Sequence, residues 1–199
     1  MNDFFSKDDN YEVPVKPGNY MKLKDGENRI RILGTFSEGT AIKGYEYWVT
    51  GKDGGRVPVR KRMDEQIVTS ELEEGEDKVK HFWSMPVFNY SEEVVQILEI
   101  TQITIIKAIT ALAKDSDWGS PTGYDIVINK SGKEMLTKYE VIPKPAKPLD
   151  NAILKAYEDK NINIQALFDG KDPFSQIEEE EEEIEVGYGV NKSIEMNGN

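Results

Sequence analysis

The feature that most constrains this chain is a two-residue alternation of apolar and polar side chains, repeated in short segments separated by polar turns. In YMKLK (20–24), Met21 and Leu23 alternate with Tyr20, Lys22 and Lys24. In NRIRIL (28–33), Ile30 and Ile32 alternate with Arg29 and Arg31, and DGEN between the two segments reads as a turn. Successive side chains of a strand point to opposite faces, so such segments put an apolar side inward and a basic side outward. Further strands are predicted at GYEYWV (44–49), RVPVR (56–60), VKHFWSMPVFNY (79–90) and VVQILEIT (94–101), with Ser91, Glu92 and Glu93 as a hairpin turn. Two more flank Lys130–Lys133 in YDIVINKSGKEMLTKYEVI (124–142).

One segment changes period. In QITIIKAITALAK (102–114), Ile105, Ile106, Ile109, Leu112 and Ala113 recur at three- and four-residue spacing, which predicts a helix. Thr101 reads as its N-cap, and Gly119 and Pro121 in DSDWGSP as its stop. Strands, one helix, then strands with short turns predict a mainly β fold, an OB-fold-like Greek-key barrel with one body helix. A β-sandwich with a helical insertion is the alternative. Pro14, Pro17 and Gly18 make residues 1–18 a flexible N-terminal arm. The barrel domain is expected over 19–149, leaving through the proline-rich PKPAKPL (143–149). A helical extension follows over 150–176, and then a disordered acidic tail over 177–199.

Charge is unevenly spread. The 199 residues carry a net −12, but residues 177–199 hold eight acids and one base, a net of −7. Residues 20–148 hold 19 Lys and Arg against 20 Asp and Glu. The body is therefore nearly neutral, with room for a basic stripe. Its acids cluster in Glu71, Glu73, Glu74, Glu76 and Asp77, which reads as a solvated loop.

No catalytic motif emerges. There is no cysteine, and His81 is the one histidine, so neither a thiolate nor a histidine metal site is expected, and no cofactor. TGKDGGR (50–56) lacks the helix that a phosphate-binding loop needs. The carboxylates fall in loops and tail, and the chain is not expected to be an enzyme. No apolar run reaches the roughly 20 residues of a membrane span. No secretory leader is legible at the N-terminus.

Aromatic and basic residues interleave instead. That pattern suits single-stranded nucleic acid, where cations track phosphates and rings stack on bases. Candidate phosphate contacts are Lys22, Lys24, Arg29, Arg31, Arg60, Lys61, Arg62 and Lys80. Candidate stacking rings are Tyr45, Tyr47, Trp48, Phe82, Trp83 and Phe88. Aromatics also fill barrel cores, and about half of these rings belong there. In 79–90, alternation puts Lys80, Phe82, Ser84, Pro86, Phe88 and Tyr90 on one face and Val79, His81, Trp83, Met85 and Val87 on the other. The second set is more core-like, which favours Phe82 and Phe88 for stacking and leaves Trp83 open to either role.

YMKLKDGENRIRILG, GYEYWV, VPVR, VKHFWSMPVFNY, QILEITQ, DWGSPTGYDI and YEVIPKPAKPL, in that order across about residues 19–149, resemble the single-stranded DNA-binding proteins of tailed bacteriophages. The resemblance implies an OB-fold that binds single-stranded DNA without sequence preference and without catalysis, in replication, recombination and repair. It implies the cytoplasm of a bacterial host as the place of action. It also implies that the acidic run Glu178, Glu179, Glu180, Glu181, Glu182 and Glu183 regulates DNA binding or recruits phage or host replication proteins. That run is followed here by IEVGYGVNKSIEMNGN rather than ending the chain. A protein-interaction module with a DNA-mimicking acidic tail is the competing function. The sequence leaves the oligomeric state, monomer or dimer, open.

Overall fold

The structure, a computed structural model, describes residues 17–67 and 79–175. Residues 1–16 of the expected arm, the acidic loop and the run Glu178–Glu183 lie outside the described residues. The body is mainly β, with an OB-like arrangement of eight strands. They are β1 (Tyr20–Met21), β2 (Gly26–Ile32), β3 (Ile42–Thr50), β4 (Arg56–Arg62), β5 (Lys80–Asn89), β6 (Val94–Ile100), β7 (Tyr124–Ser131) and β8 (Lys138–Ala146). Helix α1 spans Ile103–Lys114 and α2 spans Asn151–Lys160. The ladder runs β1-β6-β5-β2-β7-β8, and the β3–β4 hairpin joins through β5. All pairs are antiparallel except β1 with β6.

β5 organises the sheet. One edge pairs with β6 over Trp83–Asn89. The other edge is shared: β2 takes Val87–Asn89 and β3 takes Lys80–Ser84. Ile32 faces Val87 and Ile42 faces Ser84. β2 and β3 thus act as one interrupted strand, and residues 33–41 leave the edge and return to it. Pro86 sits at the interruption. Its carbonyl accepts from Leu33 N at 3.0 Å. In an antiparallel ladder a residue's N and O face the same neighbour, so the missing proline N–H points into the gap and no ladder bond is lost. Ile97, opposite Pro86 on β6, donates its N–H away to Asn19 O at 2.9 Å.

Two apolar clusters lie on opposite faces of this sheet. The larger joins Ile30, Ile32, Trp83, Met85, Leu98 and Ile126 to Ile105, Ile106 and Ile109 of α1. The smaller joins Ile42, Phe82 and Ile97 to Ile164 and Leu167, from a short 3-10 helix over Ile164–Asp169. A strand covered on both faces loses its polar side. That is why Phe82, Trp83, Ser84, Met85, Pro86 and Val87 are all buried, and why alternation divides VKHFWSMPVFNY less cleanly than the sequence suggests.

Several local expectations shift. Gln102, not Thr101, caps α1, and it makes no side-chain cap bond. β2 begins at Gly26, within the expected DGEN turn. Instead, Asn28 closes that corner by accepting from Lys24 N at 2.8 Å and donating to Lys24 O at 2.8 Å. The first four residues of PKPAKPL belong to β8. β8 ends the ladder, where prolines cost no inter-strand bond on the open side. Among the described residues no helix is long and apolar enough to cross a membrane.

Candidate nucleic-acid interface

The expected phosphate-contacting residues fall into two groups at opposite ends of β5. Arg31 pairs with Phe88 on β5, whereas Lys80 starts that strand. At about 3.3 Å per residue the two ends lie roughly 25 Å apart. The structure does not bring them into one patch.

The first group surrounds Asp125 on β7, whose side chain is sealed from solvent. Arg31 Nε donates to Oδ1 at 2.8 Å and Tyr90 OH to the same oxygen at 2.9 Å. Arg29 Nε reaches Oδ2 at 3.0 Å, and Lys147 Nζ reaches it at the same distance. Burial alone would raise the Asp125 pKa. Hydrogen bonds from Lys147, Arg29, Arg31 and Tyr90 overcome that and hold it at about 2. Arg31 is itself buried, with Nη1 donating to Thr122 O and Lys147 O and Nη2 to Lys147 O. Its place in an alternating strand marks it as outward-facing, but the outward side of β2 is covered here, so Arg31 ties strands together and does not reach solvent. Arg29 and Lys147 keep nearly half their side-chain surface exposed, and the Arg29 guanidinium lies 4.6 Å from the Tyr90 ring centre. Lys22 is exposed, and Lys24 pairs with Glu92.

The second group lies on the β3–β4 hairpin and the start of β5. Arg60 is mostly enclosed, bridging Glu46 at 3.0 Å and Glu99 at 2.8 Å. Burial raises the Glu99 pKa, Arg60 opposes this and Glu46 adds to it. Arg60 is therefore occupied by two carboxylates. Arg62 stacks 4.2 Å from the Phe168 ring centre and donates to Gln165 Oε1 at 2.8 Å. Phe82 is 1% exposed and lies beneath the 3-10 helix, edge-on to Phe168. Phe82, one of the two rings favoured for stacking, thus belongs to the second core cluster. The signal for this lay in the apolar spacing of Ile164 and Leu167, whose destination no local pattern specifies. Gly44 permits the fit, because a Cβ there would fall 2.2 Å from Lys61 O and 3.2 Å from the Phe168 ring.

The opposite face of the hairpin remains more open. Register aligns Lys61, Tyr45 and His81 in one row across β4, β3 and β5, and places Lys43 beside Trp83 in the adjacent row. Tyr45 packs edge-on to His81 with ring centres 5.9 Å apart. The Trp83 indole can only donate, so His81 Nε2 accepts from it at 3.2 Å, and Nδ1–H donates to Gly44 O at 2.9 Å. That fixes the imidazole plane beside Tyr45. Tyr47 is buried; Trp48 is half-buried with Arg56 6.0 Å from its ring centre. Lys80 is exposed, and Phe88 is half-buried edge-on to Tyr90.

Two residues absent from the sequence-based set join this face. Phe36, from the 33–41 excursion, meets Trp83 edge-on at 5.0 Å, and Lys43 Nζ lies 5.2 Å from the Phe36 ring centre. Lys43 falls one residue before the predicted strand 44–49, and Phe36 sits in TFSEGT, outside every predicted element. Only the return of the chain to β5 brings it over Trp83.

A curated protein of Escherichia phage T5, described as a probable ssDNA-binding protein, is 26% identical to this chain over 143 residues. The match covers 61% of this chain and 53% of the relative, so the chain spans about half the length of the protein it matches. No protein-family model matches the chain. No solved structure matches it.

Proposed function

We propose that this chain binds single-stranded DNA without sequence preference and without catalysis, along the hairpin face that carries Lys61, Tyr45, His81, Lys43 and Phe36. The alignment of Lys61, Tyr45 and His81 in one cross-strand row carries the reading. A cation beside partly exposed rings is what a flexible polyanion with flat bases needs. Lys80, Arg62 and Arg56 lie by register on the other face of the same hairpin and add to the positive field at its edges. Under this reading residues 19–149 form the binding domain and 150–176 support it by covering Phe82. The run Glu178–Glu183 competes with DNA or recruits replication proteins.

A fluorescence titration with oligo-dT at several salt concentrations tests this. Binding should weaken steeply with salt, because each phosphate contact releases counterions. Equal or tighter binding to duplex, or salt-independent binding, would overturn it. The net charge of −12 favours a second reading, a protein-interaction module acting through its acidic tail. Removing residues 177–199 separates the two. DNA affinity is kept or increased under the first, and activity is abolished under the second.

A further inference from the structure

The face just described opens into a cavity that it does not by itself require. Behind Phe36 lies a space of about 230 Å³ walled by Phe36, Trp83, Met85, Ile109, Ala113 and Pro121. Its walls are almost wholly apolar, but Ser120 and Thr122 stand at its edge, their hydroxyls 2.8 Å apart. A second space of about 240 Å³ shares the Phe36 wall and is bordered by Lys43, Arg62 and Phe168. Phe36 therefore divides an apolar slot from a cationic one.

The divider is held firmly. Thr35 N donates to Thr40 Oγ1 at 2.8 Å, and Ala41 N donates to Thr35 O at 2.9 Å, which closes the excursion at its base. Gln165 Nε2 ties Gly39 O at 2.9 Å. Gly34 allows the closure, since a Cβ there would lie 2.3 Å from Thr40 O. Despite this anchoring, Phe36 remains 37% exposed at the mouth.

We propose that the slot between Phe36 and α1 receives one unstacked nucleobase of the bound strand, with the adjoining phosphate held by Lys43 and Arg62. This rests on the single-stranded DNA reading and adds a defined base site to it. A nucleobase has two apolar faces and a polar rim, which matches apolar walls edged by hydroxyls. The charge on the far side of Phe36 is where its backbone must pass. Apolar walls without a fixed array of donors and acceptors admit any base, in keeping with sequence-tolerant binding.

Ala113 offers the test, because it is exposed on α1 yet lines the slot. Ala113→Trp fills the space from the surface, and Phe36→Leu keeps apolar bulk while removing the ring. The probe is oligo-dT carrying one 2-aminopurine, with thermal unfolding followed by circular dichroism as the control for folding. Both variants should bind about tenfold more weakly, with the salt slope of wild type, and Ala113→Trp should lose the 2-aminopurine response. Wild-type affinity in both variants, while wild type itself binds oligo-dT, would overturn the base site and leave the DNA reading standing. Failure of wild type to bind oligo-dT would remove the DNA reading, and the base site with it.

Discussion

Arg31 Nε and Asp125 Oδ1 meet at 2.8 Å with both side chains sealed from solvent. This pair joins β2 to β7, and Tyr90, Arg29 and Lys147 add the end of β5 and the exit from β8. Such a cluster costs solvation to bury, and its members depend on one another. Removing Arg31 empties a buried site and frees the Thr122 and Lys147 carbonyls while Asp125 keeps Arg29 and Lys147, a loss of about 3 kcal/mol. Arg31→Ala should therefore lower the urea midpoint strongly. Its loss of DNA affinity at a temperature where it remains folded should be small.

The same cluster sets an acid limit. The Asp125 pKa falls from 3.8 to about 2 on folding. A carboxylate with a depressed folded pKa contributes stability that is present above the unfolded value and lost as pH falls through the folded one. Urea unfolding of wild type should thus show a loss of about 2 kcal/mol between pH 4 and pH 2 from this group. Asp125→Asn should flatten that part of the profile.

Glu99 behaves oppositely. Its raised pKa means that the folded state holds its proton more tightly, so stability declines as pH rises through its titration. Glu99→Gln leaves Arg60 paired with Glu46 and removes the excess carboxylate. The variant should gain on wild type in denaturant unfolding, and the gain should be larger at pH 8 than at pH 5. Arg60→Ala should instead destabilise the protein, because Glu46 and Glu99 would face each other without their cation.

Phe82→Ala is expected to act on folding. The ring lies in the cluster of Ile42, Ile97, Ile164 and Leu167. Truncating a buried phenylalanine costs about 3–5 kcal/mol. Thermal unfolding should register the loss, and oligo-dT affinity measured well below the transition should change little.

Lys61 and Lys80 should show the reverse pattern. Among the described residues Lys61 has only a loose ion pair, with Glu65 at 3.8 Å, and Lys80 is exposed. Each alanine variant should keep the wild-type melting temperature and reduce the slope of log affinity against log salt by about 0.7, the contribution of one phosphate on a single strand. An unchanged slope would take that lysine out of the interface.

The strands were legible because each needs only its own side chains to declare a period. Residues 44–49 and 56–60 fall within β3 and β4, 94–101 overruns β6 by one residue, and 102–114 contains α1. The faces were harder to read. Burial of Phe82 depends on Ile164 and Leu167, more than 80 residues later in the chain, and the fate of Arg31 depends on Asp125, which sits 94 positions away. Short-range alternation carries no information about a cover that arrives from so far along the chain. Phe36 illustrates the same limit from the other side. A ring in a turn acquires meaning only through the strand to which the turn returns.

The gap at Pro86 divides β5 in time as well as in space. Toward Asn89 its amides are locked between β2 and β6; β6 continues opposite Ser84 and Trp83, but Phe82, His81 and Lys80 pair with β3 alone, whose outer neighbour is the hairpin strand β4. No ladder bond links β2 to β3 across the interruption, so the hairpin half can open without dragging the other half apart. Native-state hydrogen exchange should therefore step up from Val87 toward Lys80. The half that exchanges sooner is the half proposed to grip DNA, and a bound strand should slow it selectively.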